Sequence, residues 1–551
     1  MKFGFACVAC VLATALLTAC SGRGAPAAKI DPQRMSDDIR ALSADAFEGR
    51  GPATPAEPKV IDYLVSRFKA MGLQPGGENG GWTQAVPLER FQVTGPVKLS
   101  LSLNGQARDL QQGQDVVVET LLPVDRVSIS KAPLIFVGYG VLAPERRWDD
   151  FKGDDLHGKI AVVLVNDPDF ENPASTLFGG KAMTYYGRWT YKYEEAARQG
   201  ALGVLIVHET GPASYGWDTV RNSNANAQFD IVRDDPSKAH PLVQGWIQRD
   251  LAVRLFKACG LDFEALKKAA QRPDFDPVHL NCASLSADYG VDHSQIVTHN
   301  VLARLPGKRR PRDTLIYSAH WDHLGVGAPD ARGDRIFNGA QDNASGVADV
   351  LEIARAFAAG PRPDRSVLFM AVTAEEKGLL GSLYYAAHPL YPLETTVADI
   401  NIDDLDADGP AHDISTRGGD QVSLEDSLAE TATRHGQSFS PDPNPGAGLF
   451  YRADHFSFAK AGVPGISLIH GRDLVKGGRA AGDAFNAEYN AHRYHQPADE
   501  WSPAMDLTGQ AADVELAYEL GADLANSKAW PQWKPNSEFK AIRDASDGMR
   551  R

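Results

Sequence analysis

The stretch SAHWDHLG closes an apolar run with two imidazoles and a carboxylate: His320, Asp322 and His323. Later segments offer these groups company. NGAQDNASG sets Asp342 directly before a helix-like stretch, and TAEEKG sets Glu375 and Glu376 side by side after another apolar run. NIDDLDADG supplies Asp403, and RYHQPADE supplies Tyr494 and His495. Each alone has an ordinary reading: an Asp before a helix is a common cap, and Asp322 beside a surface His is another. Together they give His, Asp, Glu, Asp and His at successive chain positions. Imidazole and carboxylate without thiolate suit zinc in a hydrolytic site. Five such ligands suit two ions about 3.5–4 Å apart if one carboxylate, Asp342, gives an oxygen to each. Adjacent ionised glutamates repel unless a cation or solvent intervenes. That splits their roles: Glu376 for metal, Glu375 for taking a proton from water. Positions two apart in extended chain share a face. Asp322 is therefore expected to reach the His320 ring, fix its tautomer and raise its basicity.

These side chains need a frame. DTLIYSAH, RSVLFMAVTAEE, TTVADINID and VPGISLIHG read as strands. NASGVADVLEIARAFAAG, KGLLGSLYYAAH, VSLEDSLAETATRHG and DLTGQAADVELAYELGADLAN read as helices between and after them. The alternation predicts an α/β fold, a mostly parallel mixed sheet with helices on both faces. Polar site residues collect beyond the carboxyl ends of such strands. Upstream, PAEPKVIDYLVSRFKAMGL is helical, with Val60, Ile61, Leu64, Val65 and Phe68 on one face and Gly72 at its stop. Short alternating segments from Val86 to Val118 read as antiparallel strands. The remaining histidines carry less: His323 is expected in a structural or rim role, and His293 and His299 at the surface or in packing. GYG and GGENGG lack the lysine and helix of a phosphate loop and read as turns.

At 551 residues the chain is long enough for two or three domains. A formal charge of −15 leaves no basic surplus to meet phosphates, which argues against nucleic-acid partners. Residues 1–20 have a charged start, a short apolar core and a small-residue end, the pattern of an export signal. LTAC at Leu17–Cys20 resembles the bacterial lipoprotein box, which implies lipid on Cys20. Ser21 after it implies outer-membrane sorting, with the chain facing the periplasm or secreted. The membrane is a partner through that lipid only. Residues 21–29 read as a tether. Of five cysteines, only Cys259 and Cys282 then remain in the folded part. They could pair in an oxidising compartment or stay as buried thiols.

SAHWDHLG, NGAQDNASG, TAEEKGLLGS, NID and YHQPADE, in this order, resemble the two-zinc aminopeptidases of metallopeptidase family 28. APLIFVGYGV, GKIAVVLVNDP and YKYEEAARQGALGVLIVHE resemble the β-rich protease-associated domain found inserted in many of its members. The resemblance implies a zinc exopeptidase fold in parts 30–121 and 289–530, with the insertion at 122–288, for which a separate N-terminal domain is the alternative; the polar residues 531–551 read as a peripheral or poorly ordered tail. It implies that His320, Asp342, Glu376, Asp403 and His495 hold two Zn2+ ions, with Asp342 shared. Glu375 is implied as general acid and base, Asp322 as the partner of His320, and Tyr494 as a hydrogen-bond donor to the oxyanion. Tyr494 could equally be a packing aromatic, and Asp454 is expected to be structural. Peptides are the implied substrates, most simply from their free amino end. Related proteins act as carboxypeptidases or cyclise N-terminal glutamine. A noncatalytic scaffold would be expected to lack some of these side chains. NIDDLDADG is richer in acids than the family pattern, and Asp404 or Asp406 could hold a peptide amine or sit in a solvated loop.

Overall fold

The computed structural model describes residues 29–172, 174–223, 227–403, 405 and 408–550. The expected export signal with Cys20, and Asp404 and Asp406, lie outside the described residues. Two helices open the chain, α1 (Pro32–Leu42) and α2 (Glu57–Ala70). Asp31 caps α1 by accepting from the Gln33 amide. Val60, Leu64 and Phe68 are buried at helical spacing on α2, and Gly72, at a φ of +74°, follows it. Then come β1 (Thr83–Leu103), β2 (Gln106–Leu110), β3 (Val116–Glu119) and β4 (Arg126–Phe136). The segment continues through β5 (Ile160–Leu164), α3 (Trp189–Arg198), β6 (Gly203–His208), β7 (Gln228–Ile231), β8 (Val243–Gln248) and α4 (Arg249–Ala258). Strands β4, β5, β6 and β8 lie parallel, with β3 antiparallel at their edge. IAVVL in β5 and GVLIVH in β6 are buried at every position, as strands covered on both faces must be. β7 instead pairs with β1.

The chain returns along β9 (Val278–Leu305), a strand of 28 residues. Its first part pairs with β4. It pairs with β1 from Ala283, opposite Leu103, to Val301, opposite Thr83. The junction expected at Asp288 falls inside this strand. Cys259 and Cys282 form a disulfide, with Cα atoms 5.2 Å apart, that ties the end of α4 to β9.

After β9 the elements are β10 (Arg310–His320), α5 (Gly346–Ala359), β11 (Arg365–Val372), α6 (Leu380–Ala387), β12 (Thr396–Ile402) and β13 (Asp413–Thr416). They continue as α7 (Ser423–Arg434), β14 (Ser438–Phe439), α8 (His455–Lys460), β15 (Gly465–His470), α9 (Gly478–His492) and α10 (Thr508–Asn526). Strand order is β14-β13-β15-β12-β10-β11-β9, and the same sheet continues through β4, β5, β6 and β8 to β3. β11, β10, β12 and β15 are parallel; β9 and β13 flank them antiparallel. This is the mixed, mostly parallel α/β sheet expected. Successive β10 residues face opposite layers. Leu315 and Tyr317 pack with Phe357 of α5 and Tyr518 of α10, while Ile316 packs with Tyr385 of α6 and Phe458 of α8.

The tail corrects an expectation. It was read as peripheral or poorly ordered, yet Trp533 and Phe539 are 2% exposed. Trp533 Nε1 donates to the Gly462 carbonyl at 3.0 Å, and Arg543 donates to that of Thr396 at 3.0 Å. A few aromatic anchors bury the tail although most of its residues are polar. No helix among the described residues is long and apolar enough to cross a membrane.

Candidate metal centre

The carboxyl ends of β10, β11 and β12 release the chain on the same side of the sheet. His320 is the last residue of β10 and 1% exposed. Its Nε2 lies 3.3 Å from Asp342 Oδ1, 3.3 Å from Asp403 Oδ1 and 3.9 Å from Glu375 Oε2. Asp403 directly follows β12. Asp342 sits in an irregular turn before α5, where Asp499 accepts from the Gln341 amide at 3.1 Å and the Asp342 amide at 3.0 Å. Gly339, at a φ of +55°, admits this turn: a Cβ there would stand 2.2 Å from the Asp342 carbonyl oxygen and 2.7 Å from the His323 ring.

The other oxygen of Asp342 faces a second group. Asp342 Oδ2 lies 3.2 Å from His495 Nε2, and Glu376 Oε2 lies 3.1 Å from the same nitrogen. His323 Nδ1 is 2.6 Å from Glu376 Oε1 and 3.8 Å from Asp342 Oδ2. Two sets of donor atoms are each compact enough for one ion: His320, Asp342 and Asp403, and His323, Asp342 and Glu376. His495 joins the second set through the contacts just given. Thus the structure brings together all five residues expected as ligands. It also places His323 inside the cluster, fully buried, rather than at a rim. His323 Nε2 has no hydrogen-bond partner, and His323 Nδ1 faces only the carboxylate oxygens of Glu376 and Asp342. Buried donors of this kind fit a cation. The spacing in HWDH was the signal: the second imidazole follows the strand end by three residues and turns back under the loop.

The electrostatics ask for positive charge. Burial opposes protonation of His320, yet the carboxylates of Glu375, Asp342 and Asp403 hold its pKa well above the ordinary value. His495 is likewise pushed up to about 11, against burial, by Glu376 and Asp342. Asp342 is held well below the carboxylate range and Glu376 at about 2, because the imidazoles outweigh burial. Glu375 behaves oppositely. Burial, with Asp403 and Glu376 nearby, drives its pKa well above the ordinary value although His320 pulls it down. The two adjacent acids thus shift in opposite directions.

Asp322 corrects a detail. Its carboxylate is 3.9 Å from His320 Nδ1, beyond a hydrogen bond; that nitrogen contacts the Asp322 backbone carbonyl at 3.0 Å. Its Oδ1 instead accepts from the Glu375 amide at 3.0 Å. The carboxylate lies past the strand end, where the shared-face rule for extended chain no longer applies. Backbone strain surrounds the site: Ala374, before Glu375, has φ +53° and His495 has φ +57°. Tyr494, 39% exposed, stacks on His495 with ring centroids 4.0 Å apart. It lines a cavity of about 400 Å³ together with His320, Glu375 and Asp403.

Two supporting residues were not legible. Arg50, 1% exposed, donates to the carbonyls of Leu42, Trp321, Asn338 and Gly339. It clamps the β10 exit to the Asp342 turn, and burial lowers its pKa to about 10. Asp499 lay within a quoted segment but carried no signal for its two amide contacts. Asp454 accepts from Ser382 Oγ at 2.6 Å and stays outside both ligand sets. His293 and His299 pair with Glu89 and Glu57.

Residues 300–518 match the family model for Peptidase family M28. Leupeptin-inactivating enzyme 1 of Streptomyces exfoliatus is 29% identical over 231 residues, 40% of this chain and 48% of that protein. A protein of Pyricularia oryzae named "Probable zinc metalloprotease" is 40% identical over 87 residues, 16% of this chain and 17% of its own. The chain spans half or less of the length of these curated relatives. Among solved structures, an aminopeptidase from Aneurinibacillus sp. strain AM-1 aligns over 90% of this chain and 95% of its own. Its TM-score is 0.49 and its identity 20%.

Proposed function

We propose, from the match of residues 300–518 to the family model for Peptidase family M28, that this protein is a zinc-dependent exopeptidase, an aminopeptidase acting on the free amino end of peptides. One observation carries the two-ion form of this reading. Asp342 turns one oxygen to His320 and the other to His495, at 3.3 and 3.2 Å. His320 and Asp403 would hold one Zn2+ and Glu376 and His495 the other, with Asp342 available to both and His323 beside Glu376. Zinc bound there supplies Lewis-acid polarisation of the scissile carbonyl and lowers the pKa of water.

The protein's own groups do the rest. Glu375 takes a proton from the attacking water and hands it to the leaving amine. Asp322, through the Glu375 amide, fixes the loop that aims this carboxylate. The Tyr494 hydroxyl donates a hydrogen bond to the developing oxyanion. No serine or cysteine nucleophile is needed.

The test compares free-amine peptides, N-blocked peptides and peptides with N-terminal glutamine, with and without chelator. Hydrolysis confined to free-amine peptides, lost with chelator and restored by Zn2+, supports the reading. Cleavage of the N-blocked set alone would replace it with a carboxypeptidase, and cyclisation without hydrolysis with a glutaminyl cyclase. We also read the chain as exported and lipid-anchored on Cys20 at the outer membrane, and residues 122–288 as a protease-associated module. The Cys259–Cys282 disulfide supports an oxidising compartment. Labelling with a fatty-acid analogue, lost in Cys20→Ser, tests the anchor.

A further inference from the structure

A buried arginine normally spends its guanidinium on protein acceptors. Arg50 does so on four carbonyls, Arg365 on Asp313 and two carbonyls, and Arg543 on the Thr396 carbonyl. Arg188 does not. It precedes α3 in the inserted segment and is 8% exposed, yet its Nε has no partner and no ion pair reaches its guanidinium among the described residues. The charged group that acts on it is another arginine, Arg452, whose Nε is also buried without a partner. Two cations lining one cleft repel unless an anion joins them. Both line a cleft of about 590 Å³ that also holds Glu375, Glu376, Tyr494 and His495. Its remaining walls include Trp189, Tyr193 and Lys377, a third cation. Arg188 comes from the inserted segment and Arg452 from the turn Leu449–Arg452 before α8. The pair therefore forms only where the two parts of the chain meet.

We propose that Arg188 and Arg452 form a subsite for a carboxylate of the peptide substrate, so that the inserted segment selects peptides bearing negative charge near the scissile bond. This rests on the exopeptidase reading. Planar guanidinium groups bind carboxylates through charge-assisted, often paired hydrogen bonds. The carboxylate can be a peptide C-terminus or an acidic side chain, and the substrates separate these.

The experiment uses the full-length, zinc-loaded protein and three matched pairs. These are Leu-Phe against Leu-Phe amide, Leu-Glu amide against Leu-Gln amide, and Glu-Leu amide against Gln-Leu amide. The expected result is a kcat/KM at least roughly tenfold higher for the charged member of one or more pairs. The first pair reports a C-terminal carboxylate, the others a side chain. That ratio falls to near one in Arg452→Gln and in Arg188→Met; the partly exposed Arg452 keeps the test open if Arg188→Met does not fold. Charged and neutral members equal within twofold in the wild type would overturn the subsite while leaving the exopeptidase standing. So would a preference that survives in Arg452→Gln. If no pair is hydrolysed, the exopeptidase reading fails on its own. Calorimetry with the reduced-bond analogues of the same pairs then decides the subsite by the ratio of Kd values, wild type against Arg452→Gln.

Discussion

Asp342 presents its two oxygens to different imidazoles, and around that carboxylate the acids sort by neighbour. The carboxyl of Glu376, pressed between His323 and His495, is held at about 2 despite burial, while burial and the neighbouring carboxylates shift that of Glu375 upward. Replacing Glu375 by Gln keeps its size but removes the proton acceptor. Turnover should fall roughly 10²- to 10⁴-fold while zinc content, read by mass spectrometry, stays at the wild-type level. An active Glu375→Gln would remove its assigned role. His323 makes a different prediction, because its ring touches Glu376 rather than the reacting atoms. His323→Asn should weaken retention of one zinc equivalent by about 10- to 100-fold in a chelator competition and leave the other in place. Equal loss of both, or of neither, would contradict the asymmetry of the two donor sets.

At the scale of elements, the site exists because β10, β11 and β12 end together and the buried Arg50 ties the β10 exit to the Asp342 turn. Arg50→Met strips donors from four carbonyls in a dry region. It should cost about 3 kcal/mol or more in urea unfolding, and lower zinc occupancy even in the fraction that stays folded. The parallel strands were legible since each is an apolar run ended by turn residues, and the helices between them carry 3.6-residue spacing. That five expected positions would meet was legible at His320, Glu376 and Asp403, which stand at the ends of such runs, and at Asp342 and His495 only from the order of the quoted segments. Arg50 was not, since it lies more than 270 residues from Trp321 and its partners are backbone carbonyls, which leave no trace in residue type. Asp322 was misread in detail for a similar reason: its acceptor oxygen went to an amide. The burial of the tail was hidden by its polar average.

At the scale of the whole molecule, residues 122–288 are pinned to the residues that follow by charge as well as by strands. Lys460 of α8 reaches Glu194 of α3 at 2.6 Å, and Glu538 in the tail accepts from the Tyr185 amide and the Tyr451 hydroxyl. Burial opposes ionisation of Glu194, but Lys460, Tyr185 and Arg198 bring its pKa down to about 2. The folded value lies below the ordinary 4.5, so this contact stabilises the protein fully above pH 4.5 and is lost as pH falls toward 2. Lys460→Met should lower stability at pH 7 by an amount on the order of 1–3 kcal/mol and flatten the acid slope in that window. A melting series from pH 7 to pH 2 reads both.

The length of β9 has one more consequence. One continuous strand, with register shifts between His279 and Gly290, borders the strands around His320 at one end and those of residues 122–288 at the other. The segment cannot be lifted out as a cassette: excision at 122–288 would sever that strand and strip β4 from its flank. Nor can it swing like a hinged flap without peeling that ladder apart. Whatever the insert contributes at the cleft mouth, it contributes as a fixed wall.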